Sequence, residues 1–135
     1  MSKLENKFDS FKTAFARLKE AIDMYENNPH PVLLDGTIQR FEFTVELSWK
    51  LIKEYLESEK FGELNSPKSV IKEAYKVGLL DDGDKWLDML DDRNLTSHTY
   101  DEAVAKEIYR NIIQEYSIKF EELENKMEKV IKDGK

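Results

Sequence analysis

The stretch LDGTIQRFEFTVELSWKLIKEYLES, residues 34–58, decides the fold. Its large apolar residues recur every three or four positions, which is the spacing of one face of an α-helix. The residues on this face are Ile38, Phe41, Val45, Trp49, Ile52, Tyr55 and Leu56. The apolar arc is widened by Phe43, Leu47 and Leu51. A helix with so broad an apolar surface needs neighbours on more than one side, so it is either the central helix of a bundle or part of a subunit interface.

The same helix has one clearly polar strip, which carries Glu42, Glu46, Lys50 and Lys53. Glu46 stands four residues before Lys50, and this order of charges favours an ion pair along a helix. The strip therefore predicts the side of the helix that faces solvent.

Helices are also predicted on both sides of this stretch. Residues 3–27 carry a narrow apolar stripe with helical spacing, and the breakers NNPHPV at 27–32 end it. After the second helix, Ser66 and Pro67 form a good N-cap and first-turn pair, so a short helix is expected to start there. Gly78 is expected to end that helix.

Two more helices are predicted in the C-terminal half. The acidic residues of DDGD, 81–84, suit the positive end of a helix dipole and open a fourth helix that ends near Ser97. Thr99 and Glu102 have capping-box spacing, so a long fifth helix is expected to begin near Thr99. The chain is therefore predicted to be all-α, an up-and-down bundle of four main helices plus one short helix, in a single domain over residues 1–135.

The composition excludes several classes of protein and of site. The 135 residues are 40% apolar and 36% charged, with 5 Gly, 3 Pro and no Cys. Without cysteine there is no disulfide, thiolate zinc site or cysteine nucleophile, and a cytoplasmic location is expected. No segment has the roughly 20 apolar residues that span a bilayer, so no membrane partner is expected. The net charge of -7 predicts weak non-specific affinity for nucleic acid, because that affinity depends on cations meeting phosphates.

A second stretch, RNLTSHTY at 93–100, sets an arginine, a histidine and a tyrosine close together. In an unbroken helix, Arg93 and His98 would lie about 140° apart around the axis and would not meet. The Asn, Thr and Ser residues here favour caps over helix interiors, so a break is expected. At such an elbow Arg93, His98 and Tyr100 can converge, within one chain or across a dimer seam. The pattern also fits an ordinary helix end, with a dipole-compatible arginine, a solvated histidine and a half-buried tyrosine.

Neither a metal site nor a cofactor site is predicted. The chain has two histidines and no Glu-x-x-His, which is the motif of di-iron bundles. The aspartate-rich DDGDKWLDMLDD, 81–92, lacks the order of acidic residues, glycine and final glutamate that a calcium loop needs. Phosphate-binding glycine loops are absent from the sequence as well. The other histidine, His30, stands between two prolines and is expected to be structural.

RNLTSHTY also matches the Arg-x4-His-x-Tyr signature of the HEPN superfamily. Three longer blocks carry a closer resemblance: LLDGTIQRFEFTVELSWKLIKEYL, SPKSVIKEAYKVGLL and WLDMLDDRNLTSHTYDEAVAKEIY. They resemble the HEPN branch called nucleotidyltransferase substrate-binding proteins, which are encoded beside a minimal nucleotidyltransferase. The short signature alone is weak, but blocks that span nearly the whole chain make the resemblance specific.

The resemblance implies a helical bundle that forms a homodimer, with the motif in a cleft at the dimer seam. It also implies a toxin that cleaves RNA without a metal, in which Arg93 holds the scissile phosphate, His98 moves a proton and Asn94 orients the site. In toxin–antitoxin members the partner nucleotidyltransferase adds AMP to the motif tyrosine, here Tyr100. The added anionic group blocks the cleft.

Two functions follow from the resemblance and the composition. The first is a metal-independent RNase toxin subunit, silenced by AMP addition to Tyr100. The second is a non-catalytic subunit that docks the minimal nucleotidyltransferase or presents a substrate to it, which the acidic balance and the broad apolar arc favour. If RNA binds at the motif, the acidic residues that flank it must point away: Asp88, Asp91, Asp92, Asp101 and Glu102.

Overall fold

The computed structural model describes residues 2–62 and 64–134, and within them it contains helices and no strands. The helices are α1 (Lys3–Asn27), α2 (Pro31–Ser58), α3 (Pro67–Lys76), α4 (Gly83–Asn94), α5 (Glu102–Asn111) and α6 (Ser117–Gly134). The last two join through a single π-helical turn, Ile112–Tyr116, and so form one long fifth helix. A short 3₁₀ turn, Leu95–His98, follows α4. The predicted all-α bundle of four main helices and one short helix is confirmed.

α2 is the central helix of the bundle. It contacts α1, α3, α4 and α5, which confirms that this broadly apolar helix has neighbours on several sides. Residues from successive turns of its apolar face are fully buried: Ile38, Phe41, Val45, Leu51, Ile52 and Leu56. Of the three residues that widen the apolar arc, Leu51 is buried in the core, Leu47 is partly buried and Phe43 is exposed.

α2 begins at Pro31, three residues before the predicted Leu34. The prediction was wrong because proline is compatible with the first turn of a helix, where its missing N–H needs no partner. His30 caps this turn, since its Nδ1 accepts a hydrogen bond from the backbone N–H of Val32 at 3.1 Å. His30 thus has the structural role that was expected for it.

Aromatic rings fill the middle of the bundle. Phe120 of α6 is fully buried, and its ring centroid lies 5.4 to 6.3 Å from four others: Phe11, Phe15, Phe41 and Trp86. Three of these four contacts are edge-on or near perpendicular, which is a favourable arrangement for aromatic pairs. The rings come from α1, α2, α4 and α6, so a single side chain joins the four main helices.

The connection between α4 and α5 differs in detail from the prediction. The predicted cap by Thr99 is wrong, because Thr99 has helical backbone angles and its hydroxyl donates backwards to the carbonyl of Thr96 at 3.3 Å. Asp101 is the cap: its backbone is extended, as an N-cap requires, and its carboxylate accepts from the N–H of Ala103 at 3.0 Å. The long helix therefore starts at Glu102, and the elbow is longer than predicted.

Charged side chains cover the outer faces of the helices. Lys50 and Glu46 lie 3.6 Å apart on the polar strip of α2, as their spacing predicted. On the same helix Phe43 is 53% exposed, which makes it an exception to the burial of the apolar arc. None of the helices in the described part of the chain is long and apolar enough to cross a membrane.

Candidate functional site

The residues of RNLTSHTY lie at the elbow between α4 and α5. Arg93 and Asn94 are the last two residues of α4, His98 ends the 3₁₀ turn, and Tyr100 follows in the link to α5. The Thr96 hydroxyl donates to the Arg93 carbonyl at 2.7 Å, and so satisfies a carbonyl near the end of the helix. The break that the sequence predicted is therefore present, and hydroxyl residues help to make it.

Arg93 is held against α2 by two carboxylates. Its guanidinium lies 3.6 Å from Glu42 and 3.5 Å from Glu46, and its side chain is 33% exposed. Both glutamates belong to the polar strip, but nothing in their spacing indicated that a residue of α4 would reach them. Glu46 also lies 3.6 Å from Lys50, so it has a second cation within reach.

His98 and Tyr100 form a pair on the exposed side of the elbow. Their ring centroids are 6.0 Å apart and the rings are tilted by 68°, in an edge-to-face arrangement. Tyr100 is 86% exposed, so the half-buried anchor expected of an ordinary helix end is not what is found. The elbow thus brings His98 and Tyr100 together, whereas the ion pairs of Arg93 are made with α2.

Asn94 lies with Arg93 at the edge of a cavity of about 380 Å³. The cavity is an open cleft between α2, the start of α3 and the end of α4. Trp49 contributes an aromatic surface to its lining, and Lys68 contributes a second cation. Glu46 lines it as well, so the space beside the arginine combines apolar, amide and cationic groups with one carboxylate.

The acidic residues that flank the motif are turned away from this cavity. Asp88, Asp91 and Asp92 line a separate groove, shared with the π turn. Asp101 caps α5, and Glu102 pairs with Lys106 at 3.0 Å. The carboxylates that do lie beside Arg93 come instead from α2.

A hydrogen-bonded cluster ties the last turn of α4 to the π turn. The Asp92 carboxylate accepts from the Asn111 amide at 2.9 Å and from the Tyr116 hydroxyl at 2.7 Å. Burial raises the pKa of Tyr116, and its hydrogen bond to Asp92 raises that pKa further. Because Asp92 directly precedes Arg93, the cluster fixes the turn from which the arginine projects.

Sequence reasoning did not find the partners of Arg93 or of Asp92. The identity of each partner depends on how α2 and the π turn pack against α4, and no local pattern encodes that packing. Across residues 2–62 and 64–134, the structure contains no group of three or more His, Asp or Glu side chains arranged to hold a metal ion.

The structure is an all-α helical bundle whose α4–α5 elbow carries an arginine, a histidine and a tyrosine, and comparison with known proteins identifies its family. The family model described as "Nucleotidyltransferase substrate binding protein like" matches residues 6–129, and the chain belongs to this family. The match covers every helix that positions the elbow.

Individual relatives agree with this assignment. A Haemophilus influenzae protein named "Probable ribonuclease HepT" is 37% identical over 94 residues, which are 67% of this chain and 64% of that protein. This chain thus matches somewhat less than two thirds of the relative's length.

Two solved structures share the fold. A crystal structure of a Thermus thermophilus protein has a TM-score of 0.79 and 39% identity, and the alignment covers 87% of this chain and 98% of that one. A Haemophilus influenzae structure, described as revealing "the fold of a substrate binding domain of a nucleotidyltransferase", has a TM-score of 0.77 and 30% identity. That alignment covers 90% of this chain and 98% of the other.

Proposed function

We propose that this chain pairs with a minimal nucleotidyltransferase and is a metal-independent ribonuclease that AMP addition to Tyr100 silences. The observation that carries the proposal is the elbow itself. It presents His98 and Tyr100 at 6.0 Å, on the surface, next to the helix turn that bears Arg93 and Asn94. Membership of the substrate-binding family and the ribonuclease name of a relative support the same reading.

Cleavage would use the 2′-hydroxyl of RNA as the nucleophile. The 2′-oxygen attacks the adjacent phosphorus and the bond to the 5′-oxygen breaks, which leaves a 2′,3′-cyclic phosphate and a 5′-hydroxyl. His98 accepts the proton from the 2′-hydroxyl or supplies one to the leaving oxygen, because an imidazole can act as a general base or, when protonated, as a general acid. In a homodimer, two copies of His98 at the seam provide one group for each task.

Arg93 would stabilise the charge that develops on the phosphoryl oxygens, and Asn94 would orient the phosphate. In the single chain the guanidinium is engaged by Glu42 and Glu46. RNA must therefore compete with these two carboxylates for Arg93.

Silencing would follow from a nucleotidyl transfer to Tyr100. The tyrosine oxygen attacks the α-phosphorus of ATP, pyrophosphate leaves, and the hydroxyl proton passes to a base or to solvent. A side chain that is 86% exposed is accessible to a second protein's active site. The product carries a negative charge and a bulky adenosine beside His98, which would repel an RNA backbone and obstruct the elbow.

The ribonuclease proposal is tested with purified protein and RNA in excess EDTA. His98→Ala is expected to reduce cleavage at least about a hundredfold, because it removes the group that transfers the proton. His30→Asn is the matched control, since it changes the other histidine and retains a residue suited to the cap. RNA that stays intact at high protein concentration, when intact mass shows Tyr100 unmodified, contradicts the proposal.

The partner proposal is tested by co-expression with the neighbouring nucleotidyltransferase. Intact mass is expected to rise by whole AMP units when ATP is present, and Tyr100→Phe is expected to abolish the gain. If the mass of Tyr100→Phe still rises by whole AMP units, AMP is added to another residue.

A non-catalytic docking subunit is the alternative function. It is favoured by the net charge of -7 and by Phe43, which is 53% exposed at the edge of a groove of about 610 Å³ between α1 and α2. On this reading the chain binds the nucleotidyltransferase and presents a substrate, and no RNA is cut. Co-elution with the partner on size exclusion is expected, and failure to co-elute in any nucleotide state eliminates the alternative.

A further inference from the structure

The cavity beside Arg93 combines features that suit a nucleotide. It has a volume of about 380 Å³, and Leu90 and Trp49 give it an apolar lining. Lys68, Arg93 and Asn94 line the same space. Small-ligand pockets in proteins have volumes of roughly 300–1,000 Å³ and pair apolar surface with a few polar groups, so the cavity is large enough for one nucleotide.

Trp49 has the properties of a stacking platform. It is partly buried and packs against the hydrophobic core, so its ring is held in position before any ligand arrives. A ring that is already ordered loses little side-chain entropy when a base stacks on it. Stacking is also tolerant of base identity, because every base has a π face.

We propose that this cavity is a nucleotide subsite of the ribonuclease: Trp49 stacks the base next to the scissile bond, and Lys68 binds the neighbouring phosphate. The inference rests on the function proposed above, in which Arg93 holds the scissile phosphate. Two cations on one cavity would then bind consecutive phosphates, and the base between them would lie on the aromatic ring. Asn94 offers an amide for hydrogen bonds to the base edge or the sugar.

The carboxylate of Glu46 disfavours binding of an anion, because it lines the same cavity and pairs with Arg93 at 3.5 Å. Lys50 lies 3.6 Å from the other carboxylate oxygen of Glu46, on the same helix. When a phosphate takes over the guanidinium, Glu46 therefore keeps Lys50 as an ion-pair partner. This exchange lowers the electrostatic cost of releasing Arg93 from Glu46, whereas Glu42, 3.6 Å from the guanidinium, loses its ion pair to the ligand.

The subsite defines the class of RNA that fits. A base stacked on Trp49 has left its own helical stack, which is inexpensive in a single strand or a loop and costly in a duplex. The preferred substrate is therefore unpaired RNA with little preference for one base.

Binding is tested without cleavage, using adenosine 3′,5′-bisphosphate as the probe and adenosine as the phosphate-free control. The 135-residue chain has two tryptophans, and Trp86 is buried in the core at 2% exposure. In a ¹⁵N-labelled sample, the indole signal of Trp49 is expected to shift on titration and that of Trp86 to stay in place. Adenosine alone is expected to bind at least about tenfold more weakly, because it lacks both phosphates.

Three variants separate the contributions of the subsite. Lys68→Ala is expected to weaken binding roughly threefold to tenfold, while Lys72→Ala, an exposed lysine that lines a different cavity on the same helix, is expected to change nothing. Trp49→Leu is expected to weaken binding about tenfold, with circular dichroism checking that the variant folds. Glu46→Gln is expected to tighten binding roughly twofold to fivefold, because the competing carboxylate loses its charge.

The outcomes distinguish the subsite from the ribonuclease activity. A Trp49 signal that shifts in protein unable to cut RNA supports the subsite and contradicts the cleavage mechanism. RNA cutting with an unmoved Trp49 signal at millimolar probe, or equal effects of Lys68→Ala and Lys72→Ala, overturns the subsite and leaves the cleavage mechanism standing.

Discussion

Replacing Tyr116 with phenylalanine removes one oxygen atom from the contact between the π turn and α4. Tyr116 is 3% exposed, and its hydroxyl donates to Asp92 at 2.7 Å. Its ring stacks on Phe41 with the centroids 5.6 Å apart and the planes 14° apart, and phenylalanine can keep this contact. The substitution therefore isolates the hydrogen bond from the packing of the ring.

The size of the loss follows from the surroundings of Asp92. A hydrogen bond to a charged group is worth about 1.5–3 kcal/mol. Asp92 is only half-buried and keeps the Asn111 amide at 2.9 Å, so water and that amide partly replace the hydroxyl. We therefore expect Tyr116→Phe to lower the free energy of unfolding by about 1–2 kcal/mol. With about 2.1 cal/mol/K of unfolding entropy per residue, this corresponds to a fall in Tm of roughly 3–7 °C.

Thermal and urea unfolding followed by circular dichroism measure this change. Tyr75→Phe is the matched control, because Tyr75 is 55% exposed and a surface substitution of this kind should change stability by less than about 0.5 kcal/mol. A double-mutant cycle with Asp92→Asn should give a coupling energy near about 1 kcal/mol. The expected role of the hydrogen bond is refuted if Tyr116→Phe is as stable as the native chain, or if both tyrosine substitutions cost the same.

Three further predictions concern a cap, the core and alkaline pH. Asp101→Ala should cost about 1 kcal/mol in urea unfolding, and Thr99→Ala less than about 0.5, because Asp101 caps α5. Phe120→Ala should cost about 3–5 kcal/mol by the same assay, because it empties the centre of the core. Burial raises the pKa values of Tyr109 and Tyr116, and their hydrogen bonds to Glu26 and Asp92 raise them further. The resulting stabilisation is fully present below about pH 10, and stability should fall above it by at most about 1.4 kcal/mol per pH unit and tyrosine.

Each of these predictions has an opposing outcome. If Asp101→Ala and Thr99→Ala lower the free energy of unfolding equally, Asp101 is not the dominant cap of α5. If Phe120→Ala lowers the free energy of unfolding by less than about 1 kcal/mol, the aromatic cluster around Phe120 is not a major source of core stability. In alkaline urea titrations, Tyr116→Phe should reduce the slope of stability against pH, and an unchanged slope would show that Tyr116 ionises equally in the folded and unfolded chain.

Local signals predicted the helices well. α1 is found at Lys3–Asn27, as its apolar stripe and the following breakers indicated, and α3 begins at Pro67 behind the Ser66 cap. The predicted start of α2 and the predicted cap of α5 were wrong. Pro31 is compatible with the first turn of a helix, and Thr99 has helical backbone angles. In both places a residue type allows two local conformations, and the neighbouring structure selects one.

The sequence by itself determined the helical bundle and the break at 93–100, because periodicity and capping depend on residues that are close along the chain. It left α2 as either the central helix or part of a subunit interface, and the packing of the other helices around α2 decided between them. Only the tertiary structure decided what surrounds the motif. Arg93 meets Glu46 across 47 residues of sequence, and Tyr116 meets Asp92 across 24. These contacts depend on how α2 and the π turn pack against α4, and that packing is set by the whole core, so no local pattern of residues could have predicted them.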